Sequence, residues 1–261
     1  MNKLIFYLLS SLITQNSFSN DSKNLHDTVN LIEVSQQLLL AAKLHDPTDS
    51  QVSLLANADV ADLHRQLSTD DKKKVFWINL YNAYTQIILS KNPQKYKNRN
   101  DFFSNKQVIV AGKKISMDDI EHGILRRSKI KWSFGYFDKI FYSAFEKLNR
   151  VERLDYRIHF ALNCGAKSCP PIAFYTTDKI DDQLDIAMKA YINTETNYHA
   201  ANNIIYLPEI MSWFRGDFGG QKGIKKMLRK LSIIPANKNP SIRFKKYDWN
   251  LFLANYKSEQ P

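Results

Sequence analysis

Arg157-Ile158-His159-Phe160-Ala161-Leu162-Asn163-Cys164-Gly165-Ala166-Lys167-Ser168-Cys169-Pro170-Pro171 is the stretch from which the chain is read. Ile158, Phe160 and Leu162 alternate with Arg157, His159, Ala161 and Asn163, and this period of two predicts a core strand with one apolar face. Gly165 and the Pro170-Pro171 pair end it in a loop. Both cysteines of the protein and one of its six histidines lie here. A sulfur at the mouth of a core strand is the one place where the sequence points at chemistry.

Around this stretch the pattern is mostly helical. Upstream, Leu31–Leu44 carries apolar residues at helical spacing, and Asp46-Pro47 stops it. A second short helical pattern covers 52–67. Asp70–Ser90 is apolar nearly all round, with Phe76, Leu80, Ala83, Tyr84, Ile87 and Ile88 on one face and Trp77, Ile78 and Tyr81 beside it, so it predicts the central buried helix. Asn79, Asn82 and Gln86 form a polar stripe on that helix, and buried amides need partners. They either tie down neighbouring loops or line a site.

The Lys- and Asn-rich segment 92–105 reads as a loop. Residues 107–115 form a hairpin pattern with Gly112 in the turn. Ser116 and Asp119 form a capping box that opens a helix from Met117 to Arg127, containing Glu121 and His122. Helices are expected over 138–150, 180–194, 208–214 and 221–231, with strands over 203–207 and 242–247. Strands scattered among helices without βαβ alternation give an α+β class: a mostly helical single domain with a small antiparallel or mixed sheet.

Lys3, the apolar run Leu4–Ile13 and the small residues Ser17 and Ser19 read as an export signal over residues 1–19. The run is too short for a comfortable membrane span, and no other span is expected once it is removed. A helical segment over 20–55 and a domain over 56–256 would follow. The expected location is periplasmic or extracellular, where paired cysteines are favoured. The chain is basic, with a formal net charge of +11. Residues 219–247 hold nine Lys or Arg and no acid, and Arg126, Arg127, Lys129 and Lys131 form a second cluster. A solvated surface or an anionic envelope polymer accounts for these clusters; no nucleic-acid motif accompanies them.

With these segments placed, the chain resembles the family known as domain of unknown function 547. The matching stretches are Phe76–Ala83, Met117–Arg126 and Arg157–Pro170, then Leu207-Pro208 with Trp213 and Asp217-Phe218-Gly219, then Tyr247–Leu251. The resemblance implies family membership and carries no activity, cofactor or catalytic residue with it.

The residues themselves suggest a Cys-His hydrolase or acyl transferase acting on a small molecule or peptide, with no cofactor or metal. Cys164, at a glycine turn, is the nucleophile candidate, and backbone N–H groups near it could hold an oxyanion. A thiol needs a base, and His122 and His159 are the candidates. Glu121 sits beside His122 but about 100° round the helix, so Asn79, Asn82 or Asn163 is the better orienter. Cys169 is structural or redox-active. A Cys164–Cys169 disulfide, two inert thiols, or a zinc site drawn from His122, His159, Cys164 and Cys169 are the competing readings. The alternative class is a non-catalytic envelope or binding module, disulfide-bonded, with a basic surface for anionic partners.

Overall fold

The computed structural model describes residues 29–257. The expected export signal over residues 1–19 lies outside them. The helices are α1 (Leu31–Leu44), α2 (Asp49–Asn57), α3 (Val60–Gln66), α4 (Asp70–Lys91), α5 (Arg99–Ser104), α6 (Ala144–Asn149), α7 (Ile180–Glu195), α8 (Ile210–Trp213) and α9 (Gly220–Lys230). A π-helical turn covers Asp119–Leu125, and 3-10 turns cover Pro93–Lys97 and Tyr156–Phe160. Strands β1 (Val108–Val110) and β2 (Lys113–Ile115) pair antiparallel. Strands β3 (Asn197–His199), β4 (Ile204–Leu207) and β5 (Ser241–Phe244) form a mixed sheet, β3 antiparallel and β5 parallel to β4. The class is α+β, mostly helical, with two small sheets. No helix among the described residues is long and apolar enough to cross a membrane.

Helix α4 is the axis of the core. The Thr69 hydroxyl accepts from Lys72 N–H, and Asp70 and Asp71 complement the helix dipole in the first turn. Phe76, Trp77, Ile78, Leu80 and Tyr81 point in different directions and are all buried, so α4 is covered on every side over this stretch. Each such side chain contributes about 1.5–3 kcal/mol of transfer free energy. Helix α1 lays Leu31, Val34 and Leu38 against it, and α7 and the π turn cover other faces.

The amide stripe on α4 ties three loops to the axis. Asn79 Nδ2 donates to Tyr175 O, and its Oδ1 accepts from Tyr175 N–H. Asn82 does the same across the 157–171 stretch, donating to Ala161 O at 2.9 Å and accepting from Asn163 N–H at 2.8 Å. Gln86 Oε1 accepts from Ala254 N–H. Buried backbone polar groups that no sheet satisfies are satisfied by these side chains instead.

That arrangement replaces the core strand predicted over 157–163. The segment is a 3-10 turn followed by irregular chain, in which Ile158 N–H bonds Asp155 O and Ala161 N–H bonds Ile158 O. The alternation is deceptive because Ile158, His159, Phe160 and Ala161 are all buried. Arg157 anchors the turn from outside, bonding Asp155, Asp181 and Asp185.

Smaller departures are local. Segment 92–105 contains the 3-10 turn and α5, which Asn98 caps by accepting from Asp101 N–H, rather than a plain loop. The helix over 138–150 starts only at Ala144, where the Ser143 hydroxyl caps it. The β1–β2 turn is as expected, with Ala111 and Gly112 both at positive φ, 48° and 70°. The segment 248–256 returns across the 165–172 loop as a strap: Lys167 N–H donates to Asn250 O, Phe252 N–H to Gly165 O, and Ile172 N–H to Asn255 O.

Replacing Asn82→Ala strands the Ala161 carbonyl and the Asn163 N–H. The expected loss is about 2–4 kcal/mol, read as a lower urea midpoint with unchanged m-value. A loss within ~0.5 kcal/mol would mean that the amide is not what holds the 157–171 stretch in place.

Candidate functional site

The site begins at the capping box. Ser116 N–H donates to Asp119 Oδ2 at 2.9 Å and Asp119 N–H donates to Ser116 Oγ at 3.0 Å, fixing the start of the turn. Beyond it the backbone widens: Arg126 N–H bonds Glu121 O, and Ser128 N–H bonds Gly123 O. Asp118, His122 and Arg126, four residues apart, lie in contact along one face. Arg126 Nη1 is 2.8 Å from His122 Nδ1, and His122 Nε2 is 3.5 Å from Asp118 Oδ1.

A guanidinium only donates, so His122 Nδ1 accepts and its proton sits on Nε2. The orienter of His122 is therefore Arg126 rather than an asparagine, and Glu121 Oε1 stands off at 4.0 Å. Glu121 Oε2 instead accepts from the Tyr81 hydroxyl at 3.2 Å. Asp118 also accepts from Lys131. Burial alone would raise the Asp118 pKa; its bonds to His122 and Lys131 outweigh that and hold it below the ordinary carboxylate range.

Asp217 joins the two histidines. Its Oδ2 accepts from Arg126 Nε at 2.6 Å and its Oδ1 from Arg126 Nη2 at 3.2 Å. His159 Nε2 lies 2.8 Å from the same Oδ2. The side chains of Arg126, Asp217 and His159 are all fully buried. Burial favours the proton on Asp217, but the His159 and Arg126 bonds prevail and keep it ionised, with a lowered pKa. Burial lowers the His159 pKa, with Asp217 opposing and Arg126 reinforcing the shift. His159 is therefore neutral at pH 7. Its Nε2–H donates to Asp217, and its buried Nδ1 carries a lone pair that meets no partner among the described residues. Phe214 stacks on the imidazole at 3.9 Å and lies under the Arg126 guanidinium at 4.5 Å.

The sulfurs complete the wall. Cys164 and Cys169 are joined in a disulfide, and neither is a free thiol. Cys164 is partly exposed and Cys169 is buried. The Tyr247 hydroxyl lies 3.4 Å from Cys164 Sγ and 3.1 Å from Cys169 Sγ. Among the described residues, no imidazole nitrogen bonds either sulfur. The backbone donors expected to hold an oxyanion are engaged: Cys164 N–H reaches Cys169 Sγ, and Gly165 N–H reaches Asn163 Oδ1.

These groups face a cavity of about 510 Å³ lined by Tyr81, Asp118, Glu121, His122, His159, Cys164 and Tyr247, with Trp132, Trp213, Trp249, Phe103, Phe134 and Phe214 forming much of the rest. Trp213 and Trp249 stack at 5.3 Å. Burial first, and neighbouring acids second, raise the pKa of Tyr81 well above the phenol range. Tyr247 is raised as well, by burial first and by nearby tyrosines and acids after it. Both hydroxyls stay protonated donors.

Of the residues singled out from sequence, Cys164, His122, His159 and Glu121 meet at this cavity. Asn79 does not; it is bound to Tyr175. Cys169 lies behind Cys164, on the side of a second cavity of about 710 Å³. Arg126, expected in a basic surface cluster, is instead fully buried against Asp217; Asp217, Asp118, Phe214 and Tyr247 carry no role from sequence alone, although Asp118, Asp217 and Tyr247 fall within the motif stretches quoted above. Among the described residues, no group of three or more His, Cys, Asp or Glu is arranged to hold a metal ion.

Residues 64–192 match the family described as "Protein of unknown function, DUF547", and that stretch belongs to it, as the resemblance implied. No curated protein and no solved structure matches the chain.

Two outcomes follow from the buried network. Arg126→Met leaves Asp217 ionised without its cation and should cost about 3–5 kcal/mol, measured by urea unfolding. His159 gains its proton less readily folded than unfolded, so its contribution to stability is complete above about pH 6.5 and declines below it. Asp217, with its lowered pKa, contributes fully above about pH 4 and is lost only as pH falls through its folded value. Wild type should therefore lose up to about 1.4 kcal/mol per pH unit through His159 as pH falls below about 6.5, and His159→Gln should flatten that slope. An unchanged slope would mean that His159 is not held neutral by burial.

Proposed function

We propose that the cavity is the active site of an exported thiol-dependent hydrolase or acyl transferase, latent while Cys164 is bonded to Cys169. The observation that carries this reading is the buried Asp217–His159 pair. It leaves a lone pair on His159 Nδ1, and His159 lines the same cavity as Cys164. Of the four ring nitrogens of His122 and His159, this is the one without a partner among the described residues, so His159 suits the role of base better than His122.

The chemistry divides into two stages. A dithiol reductant gives two electrons and two protons to the disulfide and leaves as its own disulfide, freeing Cys164 Sγ–H and Cys169 Sγ–H. Cys164 then turns toward His159 Nδ1, which takes its proton, and the thiolate attacks an acyl carbonyl. The resulting imidazolium is paired with Asp217, and it returns the proton to the leaving group as the carbon–heteroatom bond breaks. Nε2–H of His122 and the Tyr247 hydroxyl are donors for the transient oxyanion. Water or a second nucleophile then releases the acyl group from sulfur. Stacked tryptophans suit a substrate with a flat or ring-bearing body, and Asp118 and Glu121 suit a neutral or cationic head.

The second reading is a binding module with the disulfide as a permanent part of the pocket wall. It is favoured by the closed disulfide and by the shared Tyr247 contact to both sulfurs.

Hydrolysis of p-nitrophenyl acetate separates the two. Untreated protein should be inert, and reduction with dithiothreitol should switch activity on. Cys169→Ser should be active without reductant, whereas Cys164→Ala and His159→Gln should each lose about 10²-fold or more of the reduced rate. An inert Cys169→Ser protein that is folded by circular dichroism would leave the binding reading.

A further inference from the structure

We propose that the loop 129–142, beside the cavity mouth, docks the protein onto an anionic lipid surface. Burying apolar side chains is the main stabilising term in folding, yet this loop presents them to solvent. Trp132, Ile140 and Phe141 are 76%, 84% and 89% exposed, and Phe134, Tyr136 and Phe137 are exposed beside them in sequence. Scattered exposed apolar residues are ordinary; six within ten positions are a concentration that marks contact.

The loop is built rather than slack. Ile130 N–H donates to Phe137 O at 3.0 Å, Tyr136 N–H to Ser133 O at 3.0 Å, and Lys139 N–H to Ser128 O at 2.7 Å. Phe134 O accepts from Gly216 N–H at 2.7 Å. Gly135 sits at φ +86°, where a Cβ would collide with Asp217, so the loop is pinned directly onto the buried carboxylate. Because these backbone groups are already paired, the aromatic tips can enter an apolar layer without stranding them.

Charge selects the partner. Residues 127–142 hold four basic residues and one acid, a net +3 (4 − 1), of which Lys131 and Lys139 are paired with Asp118 and Glu146 outside the loop, leaving an excess of +1 in the loop with its ion-pair partners. Helix α9 begins near Tyr136, where a Cβ on Gly220 would stand 3.5 Å from the tyrosine hydroxyl, and adds Lys222, Lys225, Lys226, Arg229 and Lys230 with no acid. Trp, Tyr and Phe among lysines is the composition of segments that lie in a lipid interface, whereas protein contacts are depleted in lysine. Lys131, Trp132 and Phe134 also line the cavity, so a docked loop turns its mouth toward the lipid surface. The proposal does not depend on what the cavity does.

The test is sedimentation of the full chain with large vesicles of phosphatidylcholine, with and without phosphatidylglycerol. Wild type should pellet with the anionic vesicles and be released by added salt. Ile140→Ser combined with Phe141→Ser should reduce that partition about tenfold or more. Both side chains are mostly exposed, so the variant should keep the wild-type unfolding midpoint, and neither residue lines the cavity. Wild type that stays in the supernatant, binds neutral vesicles equally well, or is matched by the double variant overturns the proposal. So does light scattering that shows wild type self-associating without lipid through these two residues, which would make the loop a contact between copies of the chain.

Discussion

The carboxylate of Asp217 is the constraint on which the site depends. A buried negative charge is costly unless its bonding capacity is filled. Here a guanidinium fills it from one side and an imidazole from the other. Arg126 in turn fixes the tautomer of His122, and Phe214 packs against both Arg126 and His159. One carboxylate thereby pairs His159 directly, reaches His122 through Arg126, and orients the residues of three chain segments. The π turn that begins at Asp119 supplies His122, Arg126 follows directly on its end, and the segment after α8 supplies the acid.

The charge of Arg126 and Asp217 is packed behind the aromatic cavity, and of these two and the histidines they bond, only the histidines reach its lining. An all-apolar replacement could pack as well or better, but it would hold no neutral imidazole against an ionised carboxylate. Stability is spent on a local electrostatic arrangement, while helix α4 and its apolar surroundings supply the bulk of the favourable free energy. The disulfide adds a second constraint nearby, closing a loop of short sequence separation against the Tyr247 hydroxyl.

Much of the fold was legible in the sequence because its helices carry their own periodicity. Leu31–Leu44 and the buried helix Asp70–Lys91 follow from apolar spacing and flanking caps. The hairpin and the reciprocal Ser116–Asp119 box follow from turn and cap chemistry. The 157–163 segment misled because alternation normally reports one buried face, and here His159 is buried as deeply as its apolar neighbours. Only a carboxylate 58 residues further along the chain makes that burial tolerable, and local pattern cannot register it. The same blindness hid Arg126 and Asp217, which look like surface charges until their distant partners are known. The gathering of Cys164, His122, His159 and Glu121 was legible as a set of chemically capable residues. The geometry linking them was not, because it depends on contacts between segments far apart in sequence.

The strap 248–256 has a consequence for biosynthesis. Tyr247 and Trp249 line the cavity, and the residues that follow pair with the 165–172 loop that holds both sulfurs. A growing polypeptide therefore lacks a finished pocket until residues 247–256 are made. At about 5–20 residues per second, the stretch from Cys164 to the strap takes several seconds to synthesise. Throughout that interval the sulfurs are uncovered by Tyr247, and whatever thiols or oxidants surround the nascent chain meet them before the architecture can protect them.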